Sequence, residues 1–284
     1  MKRSLVVTLV AALLAAVPAT ATAGTDPAPG DLAAAKSMNV APYFLVDEAG
    51  HPNRTGPFLI PVRRNVPVTV ATGRASLQAL LDGPTRRERN ANPAISTTIP
   101  KNVELLGLTI DDGKAVVNLT KNFAADDDAA AGALRVAQVV WTITRFPTVD
   151  RVIIRQNGHK VAVQTGEGDL VERAVTRDDY LAFVAAISVE SPTYRGVSQP
   201  GSLRVTGVGA VFEAVFSYRL RDHAGSVLDA GIAMTDNGAG WGEFDFTIGF
   251  DVDDRQVGTL TVLAFSAKDG SKIDVRKVPV VLKP

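Results

Sequence analysis

The hydrophobic pattern of the chain changes once, at Ile187, and this change constrains the fold more than any other feature. Before it, apolar side chains recur at helical spacing in two segments, Arg74–Asp82 and Ala129–Phe146, which lie among short predicted strands. After it, apolar and polar residues alternate with the period of two that half-buried strands require. We therefore predict an α+β chain, with a mixed α/β domain over residues 40–184 and an all-β sandwich over residues 187–284.

Turn residues divide the first domain into helices and hairpins. Gly83-Pro84 ends the first predicted helix, because Gly accepts a left-handed backbone and Pro cannot continue a helix. Asp112-Gly113 and Asn157-Gly158 predict two tight hairpins. The predicted strands are Tyr43–Val46, Phe58–Val62 or Val66–Val70, Val103–Ile110, Lys114–Leu119, Val149–Arg155 and His159–Val163.

The second domain follows a last short helix, predicted over Tyr180–Ala186 with Thr176 as its cap. Phe212–Leu220 alternates apolar with polar residues, and Phe244–Phe250 repeats the pattern. Turn signals separate these segments from further apolar ones, so that about seven short strands are expected, as in a β-sandwich.

The N-terminus predicts export. A basic start, an apolar run over Leu5–Val17 and the small residues Ala21-Thr22-Ala23 have the pattern of a secretory signal peptide with its cleavage site. We therefore expect a signal peptide over residues 1–23, a flexible leader over residues 24–39 and an extracytoplasmic protein. The chain has no Cys, which excludes disulfides and a lipid anchor attached through Cys.

Charge and composition exclude one class of partner. Lys plus Arg and Asp plus Glu number 30 each, so the net charge is zero. A generally basic nucleic-acid binder needs an excess of Lys and Arg to displace counterions from phosphates. We expect no nucleic-acid partner.

Metal-ligand candidates are few. His51, His159 and His223 lie in or beside predicted turns, without the spacing of a metal motif. Asp126–Asp128 is the best candidate for a cation, but the rest of a calcium loop is missing, and Asp before a helix also serves as its cap. The sequence predicts no metal and no cofactor.

Catalytic candidates are equally few. Ser198, in Gly196-Val197-Ser198-Gln199-Pro200, lacks the strand–turn–helix context of a nucleophile elbow. Gly207-Val208-Gly209 leads into a strand rather than a phosphate-binding helix. Asp111-Asp112 and Asp253-Asp254 lie in predicted turns, where Asp bonds its own backbone. The sequence predicts no catalytic residue.

Two features are candidates for partner contact. Trp241 lies between Gly240 and Gly242, and is either an exposed aromatic platform or an indole folded over the sandwich core. Phe58–Val70, interrupted by Pro61 and Pro67, is either a sheet edge that accepts a partner's strand or a loop shaped by prolines. We expect recognition through surface shape and exposed backbone rather than through charge or metal.

Motifs in both domains then indicate a family. The first domain resembles the GerMN domain of sporulation and germination proteins, and the second resembles the immunoglobulin-like domain of bacterial spore germination. The segments that carry the first resemblance are Tyr43–Asp47, Leu77–Pro84, Thr98–Pro100, Asp112–Leu119, Phe146–Val152 and Thr176–Tyr180. Those that carry the second are Ile187–Pro192, Val205–Gly207, Val211–Ala214, Trp241–Phe244 and Phe265–Ser271.

The resemblance implies a secreted, non-catalytic envelope protein with a binding or assembly role. Its partner would be an envelope protein or a cell-wall polymer, and the oligomeric state stays open. The alternative is a hydrolase of cell-wall material that uses carboxylates the sequence does not single out. Many relatives are lipoproteins, and this chain departs from them because it has no Cys to carry a lipid.

Overall fold

The computed structural model describes residues 36–47, 49–51, 54–124, 128–265 and 270–284. The signal peptide predicted over residues 1–23 lies outside them, as does the predicted leader up to residue 35. The first strand begins at Ser37, inside the range expected for the leader. No helix in the described ranges has the length and apolar character needed to cross a membrane.

Short strands and three α-helices form the first domain. The strands are β1 (Ser37–Val40), β2 (Tyr43–Val46), β3 (Ala49–His51), β4 (Arg54–Thr55), β5 (Phe58–Pro61), β6 (Arg64–Pro67), β7 (Ile95–Ser96), β8 (Leu105–Asp111), β9 (Lys114–Leu119), β10 (Arg151–Gln156), β11 (His159–Lys160), β12 (Val163–Gln164) and β13 (Leu170–Val171). The helices are α1 (Thr72–Leu81), α2 (Arg86–Arg89) and α3 (Ala129–Ile143), with 3-10 turns at Lys121–Ala124 and Asp178–Phe183.

A strand–helix–strand unit organises this domain. β9 and β10 pair in parallel, and α3 makes the crossover between them in a four-stranded sheet ordered β11-β10-β9-β8. α3 is buried along most of its length, and Trp141 and Ile143 lie in the core. A separate three-stranded sheet, β5-β2-β7, shares that core through Tyr43, Phe44 and Leu45.

The local predictions for this domain are confirmed in the main. α1 and α3 occupy the two segments with helical spacing. Both hairpin turns have positive φ at their two central residues, 44° and 72° at Asp112-Gly113 and 47° and 84° at Asn157-Gly158. The helix expected over Tyr180–Ala186 is wrong, since the segment is a 3-10 turn in which Tyr180 has a non-helical φ of −130°.

The second domain is an immunoglobulin-like sandwich. Its strands are β14 (Ile187–Ser191), β15 (Val197–Pro200), β16 (Ser202–Gly209), β17 (Val215–Arg221), β18 (Val227–Met234), β19 (Gly242–Gly249), β20 (Gln256–Phe265) and β21 (Lys272–Lys283), with a 3-10 turn at Phe212–Ala214. β16 lies between β14 and β19, and the other sheet runs β15-β21-β20-β17-β18. A core that includes Val205, Phe216, Phe244, Leu260 and Val280 fills the space between them.

Two predictions for this domain need correction. The strand expected from Phe212 begins only at Val215. The positive φ of Glu213 and Ala214 interrupts the extended backbone there, and the Phe212 side chain is exposed to solvent instead of facing the core. β18 was not predicted, since its apolar residues face outward next to Ala and Gly. Strands thus dominate both domains, and helices contribute to the first.

Residues Lys36–Pro284 form one compact unit. Backbone bonds join the domains: Tyr194 donates to the Pro61 carbonyl at 2.9 Å, and Arg63 donates to the Tyr194 carbonyl at 3.4 Å. Val62 and Tyr194 form a parallel bridge. Within the edge proposed over Phe58–Val70, the second domain therefore occupies the segment from Pro61 to Arg63 at the end of β5, and β6 is paired with β1.

Candidate functional site

The junction between the domains contains an ion cluster. Glu190, on β14, accepts from Arg177 at 2.5 Å and lies 3.9 Å from Arg145, and the Arg145 guanidinium also donates to the Glu190 carbonyl at 3.1 Å. Arg177 donates to Thr144 Oγ1 at 2.8 Å, and its guanidinium carbon lies 4.4 Å from the centre of the Trp141 ring. The carboxylate of the second domain thus joins two arginines of the first.

Tyr43 lies beneath this cluster. It is fully buried, with its hydroxyl 3.5 Å from Arg145. Burial, followed by the negative charge of Glu190, raises the pKa of the Tyr43 hydroxyl to about 12. The phenol therefore stays neutral over the physiological range.

Trp241 lies at the same junction. The loop before it is fixed by Asn237, whose side chain donates to the Trp241 carbonyl at 3.0 Å and accepts from the Ala239 N–H at 3.0 Å. A Cβ on Gly242 would lie 2.6 Å from Asn237 N, so that position needs Gly. The half-buried indole packs against the core of the first domain. A contact of Trp241 with a partner stays a prediction.

A cavity of about 700 Å³ opens between the domains, lined by residues of β5, β14 and β21. Arg276 is 5% exposed, and its guanidinium carbon lies 4.4 Å from the centre of the Phe58 ring. Phe58, on β5, and Arg276, on β21, therefore stack on each other across the two domains. Both residues line the cavity, so its wall is part of the contact between the domains.

The sequence-predicted metal candidates whose side chains the structure describes do not come together. The side chain of His51 and the residues Asp126 and Asp127 lie outside the described part of the chain. His159 is exposed on β11, and the His223 ring contacts Gln256. Asp128 caps α3, accepting from the Ala130 N–H at 2.9 Å. Among the residues with described positions, no three His, Asp or Glu side chains form a metal-sized group.

The residues considered as catalytic candidates take part in packing and hydrogen bonding within the sheets. Ser198 is buried in β15 and accepts from the Lys283 N–H at 3.0 Å. Gly207 lies in β16, where a Cβ would be 2.0 Å from the Ser188 carbonyl oxygen, so close packing of strands accounts for that glycine.

Carboxylates gather at one group of turns. A cavity of about 600 Å³ is lined by Asp222, His223, Asp251, Asp253 and Asp254. The Asp222 carboxylate accepts from the Ser226 N–H at 2.7 Å within its own turn. Asp111-Asp112 also lies at a turn, with Asp112 paired to Arg151 at 3.3 Å.

The free edge of the second sheet is apolar. β18 pairs with β17 and, within the described ranges, with no strand on its other side. Ile232 is 71% exposed and Met234 is 62% exposed, and Met234 lies opposite the exposed Val215 of β17. Because Ser217 pairs with Leu263, the same register places exposed Phe265 beside Val215. We call Val215, Ile232, Met234 and Phe265 the β18 face.

The edge of the other sheet differs in character. On β19 the outward residues are Glu243, Asp245 and Thr247, and Asp245 pairs with Arg204. Charged side chains of this kind discourage pairing with another chain, whereas β18 contains one charged residue, Asp229, and no Lys or Pro. The sequence missed β18 as a site because outward apolar residues give no core signal.

The fold and this surface define a two-domain β-rich protein in which a sandwich is packed on an α/β-containing domain. The family described as "Sporulation and spore germination" (Germane) matches residues 42–162. The family described as "Immunoglobulin-like domain of bacterial spore germination" (Gmad2) matches residues 186–271. The chain therefore carries a GerMN-type domain followed by a spore-germination immunoglobulin-like domain, which confirms the resemblance seen in its motifs.

Solved structures with some likeness include the tandem GerMN domains of the sporulation protein GerM from Bacillus subtilis. That comparison gives 14% identity and a TM-score of 0.42, and covers 87% of this chain and 61% of that one. The first GerMN domain of the same protein gives 18% identity and a TM-score of 0.38, covering 50% of this chain and 98% of that one. No functionally curated protein matches the chain.

Proposed function

We propose that this chain is a non-catalytic, extracytoplasmic assembly protein that docks a protein partner by accepting an extended strand at β18. The observation that carries the proposal is the combination of an unpaired strand edge with exposed Ile232 and Met234. An unpaired edge presents N–H and C=O groups in register for another strand.

The chemistry of the β18 face favours a protein over a cell-wall polymer. A partner that fills it must supply backbone hydrogen bonds to the edge and apolar side chains to Val215, Ile232 and Met234. An extended peptide supplies both, in alternation, because successive side chains of a strand point to opposite faces. A glycan has no such alternation, and the aliphatic side chains offer it no hydrogen bonds.

The domain junction supports an assembly role. A partner held at β18 is connected to the first domain through the sandwich, the Glu190 cluster and the Tyr194–Pro61 bond. The signal peptide predicted over residues 1–23 supports export, and the descriptions of both matched domains name spore germination and no catalytic activity. Of the acids that line the turn cavity, Asp222 accepts a hydrogen bond within its own turn, and we do not extend the proposal to a hydrolase.

Lysine substitutions test this proposal. Ile232→Lys with Met234→Lys places two charges on the β18 face, whereas Thr247→Lys places one on the exposed edge strand β19. Complexes recovered from the native cell envelope through an affinity tag should be lost in the first variant and kept in the second. Retention in both variants would contradict docking at β18, and recovery of a dimer of this chain alone would contradict a separate protein partner.

A further inference from the structure

Four arginines from separate segments line one cavity of about 530 Å³: Arg63, Arg87, Arg195 and Arg255. Arg63 follows β5, Arg87 belongs to α2, Arg195 lies between β14 and β15, and Arg255 precedes β20. The cavity therefore exists only when the two domains are packed together.

Little negative charge offsets these groups. The one acid in the lining is Glu88, and its carboxylate accepts two bonds from Arg64, at 2.6 and 2.7 Å, and one from the Thr85 N–H at 2.8 Å. Across the described parts of the chain, none of the four cavity guanidinium groups has an ion-pair or hydrogen-bond partner. Arg255 also borders the turn cavity that contains Asp253 and Asp254, without an ion pair to either.

The neighbouring arginines are different. Arg145 and Arg204 line an adjacent cavity that Arg63 also borders, and each has a carboxylate partner, Glu190 or Asp245. The cavity with four uncompensated arginines is therefore distinct from the paired arginines of the domain junction.

The backbone at Arg195 is unusual. Its φ is 58°, in the left-handed region that favours Gly, and its N–H donates to the Pro279 carbonyl at 2.8 Å. Gly occupies the next position, where a Cβ would lie 2.9 Å from the Thr193 carbonyl oxygen. A long cationic side chain is thus kept at a position that Gly would fill with less strain, a pattern found at ligand sites.

We propose that this cavity binds a ligand carrying several phosphate groups. A guanidinium presents a rigid fork of N–H donors that matches phosphate oxygens. A tetrahedral phosphate accepts hydrogen bonds from guanidinium groups in several directions, and four arginines on four separate segments approach from several directions. A carboxylate, by contrast, accepts such bonds close to one plane. A cavity of about 530 Å³ exceeds the size of one phosphate, which favours an oligophosphate or a phosphodiester chain. The site is independent of β18.

Calorimetry on the purified full chain tests the site with tripolyphosphate and poly(glycerol phosphate), which separate a free oligophosphate from a polymer. Each is compared with inorganic phosphate and with polyglutamate. We expect at least one multivalent phosphate to bind about tenfold or more tightly than inorganic phosphate, as two or more simultaneous contacts imply. Tighter binding of polyglutamate, or equal binding of inorganic phosphate, would overturn the proposal.

Two substitutions identify the contributing residues. Arg87→Gln should weaken binding about tenfold, while Arg86→Gln, its exposed neighbour on α2, should not. Arg195→Gly should weaken binding by a similar factor and leave the melting temperature unchanged or higher, because Gly accepts the positive φ. If Arg87→Gln and Arg195→Gly bind like the parent chain, the cavity is not the site.

Discussion

Replacing Glu190 with Gln tests whether the ion cluster holds the domains together. The Glu190 side chain is 17% exposed, and those of Arg177 and Arg145 are each 25% exposed. The substitution removes the Glu190 carboxylate, which lies between the guanidinium groups of Arg145 and Arg177. A pair of unit charges about 4 Å apart interacts by about 4 kcal/mol at an effective dielectric constant near 20.

Partial exposure and the hydrogen bonds that Gln retains reduce this figure, so we expect a loss of about 1–2 kcal/mol in the free energy of unfolding. For a chain of this size, the loss corresponds to a melting temperature lower by roughly 3–6 °C. Differential scanning calorimetry measures it directly. A second, earlier transition of one domain would show that the junction has been uncoupled.

Asp245→Asn is the matched control, because it breaks an Arg–carboxylate pair that is 69% and 52% exposed and lies on one sheet. It should leave the melting temperature nearly unchanged. A double-mutant cycle with Arg177→Gln isolates the pairwise energy. If Glu190→Gln is no more destabilising than Asp245→Asn, the cluster does not hold the junction.

Three further predictions address the core, the sandwich and the N-terminus. The raised pKa of Tyr43, about 12 against about 10 unfolded, favours the neutral phenol in the folded state, so its stabilising effect is complete below about pH 10 and is lost between about pH 10 and 12. Tyr43→Phe should therefore flatten the fall in stability between about pH 10 and 12 in urea titrations, and an unchanged slope would refute this. Gly207→Ala would place a Cβ 2.0 Å from the Ser188 carbonyl oxygen and should lower the free energy of unfolding by at least about 2 kcal/mol. Gly249→Ala is the control, because a Cβ there meets no atom within 4 Å. Equal stabilities of the two variants would show that β16 relaxes freely. N-terminal sequencing of the exported protein should begin at Gly24, and a sequence that begins at Met1 would exclude cleavage.

The sequence predicted what depends on short-range chemistry. α1 and α3 follow from helical spacing, and the hairpins at Asp112-Gly113 and Asn157-Gly158 follow from residues that tolerate positive φ. The change of period at Ile187 coincides with the first residue of β14, where the sandwich begins.

The parts that were missed depend on contacts between distant segments. Glu190 meets Arg145 across 45 residues, and Tyr194 bonds Pro61 across a longer separation. No local pattern marks such pairs. For Trp241 the sequence offers a platform for a partner or a cover of the sandwich core, because its flanking glycines say nothing about the first domain, against which the indole packs.

β18 was missed for a different reason. Prediction of a strand relies on apolar residues that face a core, and in β18 Ala233 faces inward while Ile232 and Met234 face outward. The outward apolar residues of β18 thus explain both the proposed docking edge and the weak sequence signal. A strand whose apolar side chains face a partner lacks the alternating pattern of a strand that faces its own core.

The most direct test of the account is a photo-crosslinking scan along β18 in the native cell envelope. A photoreactive amino acid is placed in turn at Ile232, Ala233 and Met234, with Thr247 as the control on β19. Docking of a partner's strand at the β18 edge predicts crosslinks to one protein from residues 232 and 234, and none from 233 or 247. Crosslinks of equal yield at all four positions, or at residue 247 alone, would contradict a partner strand at β18.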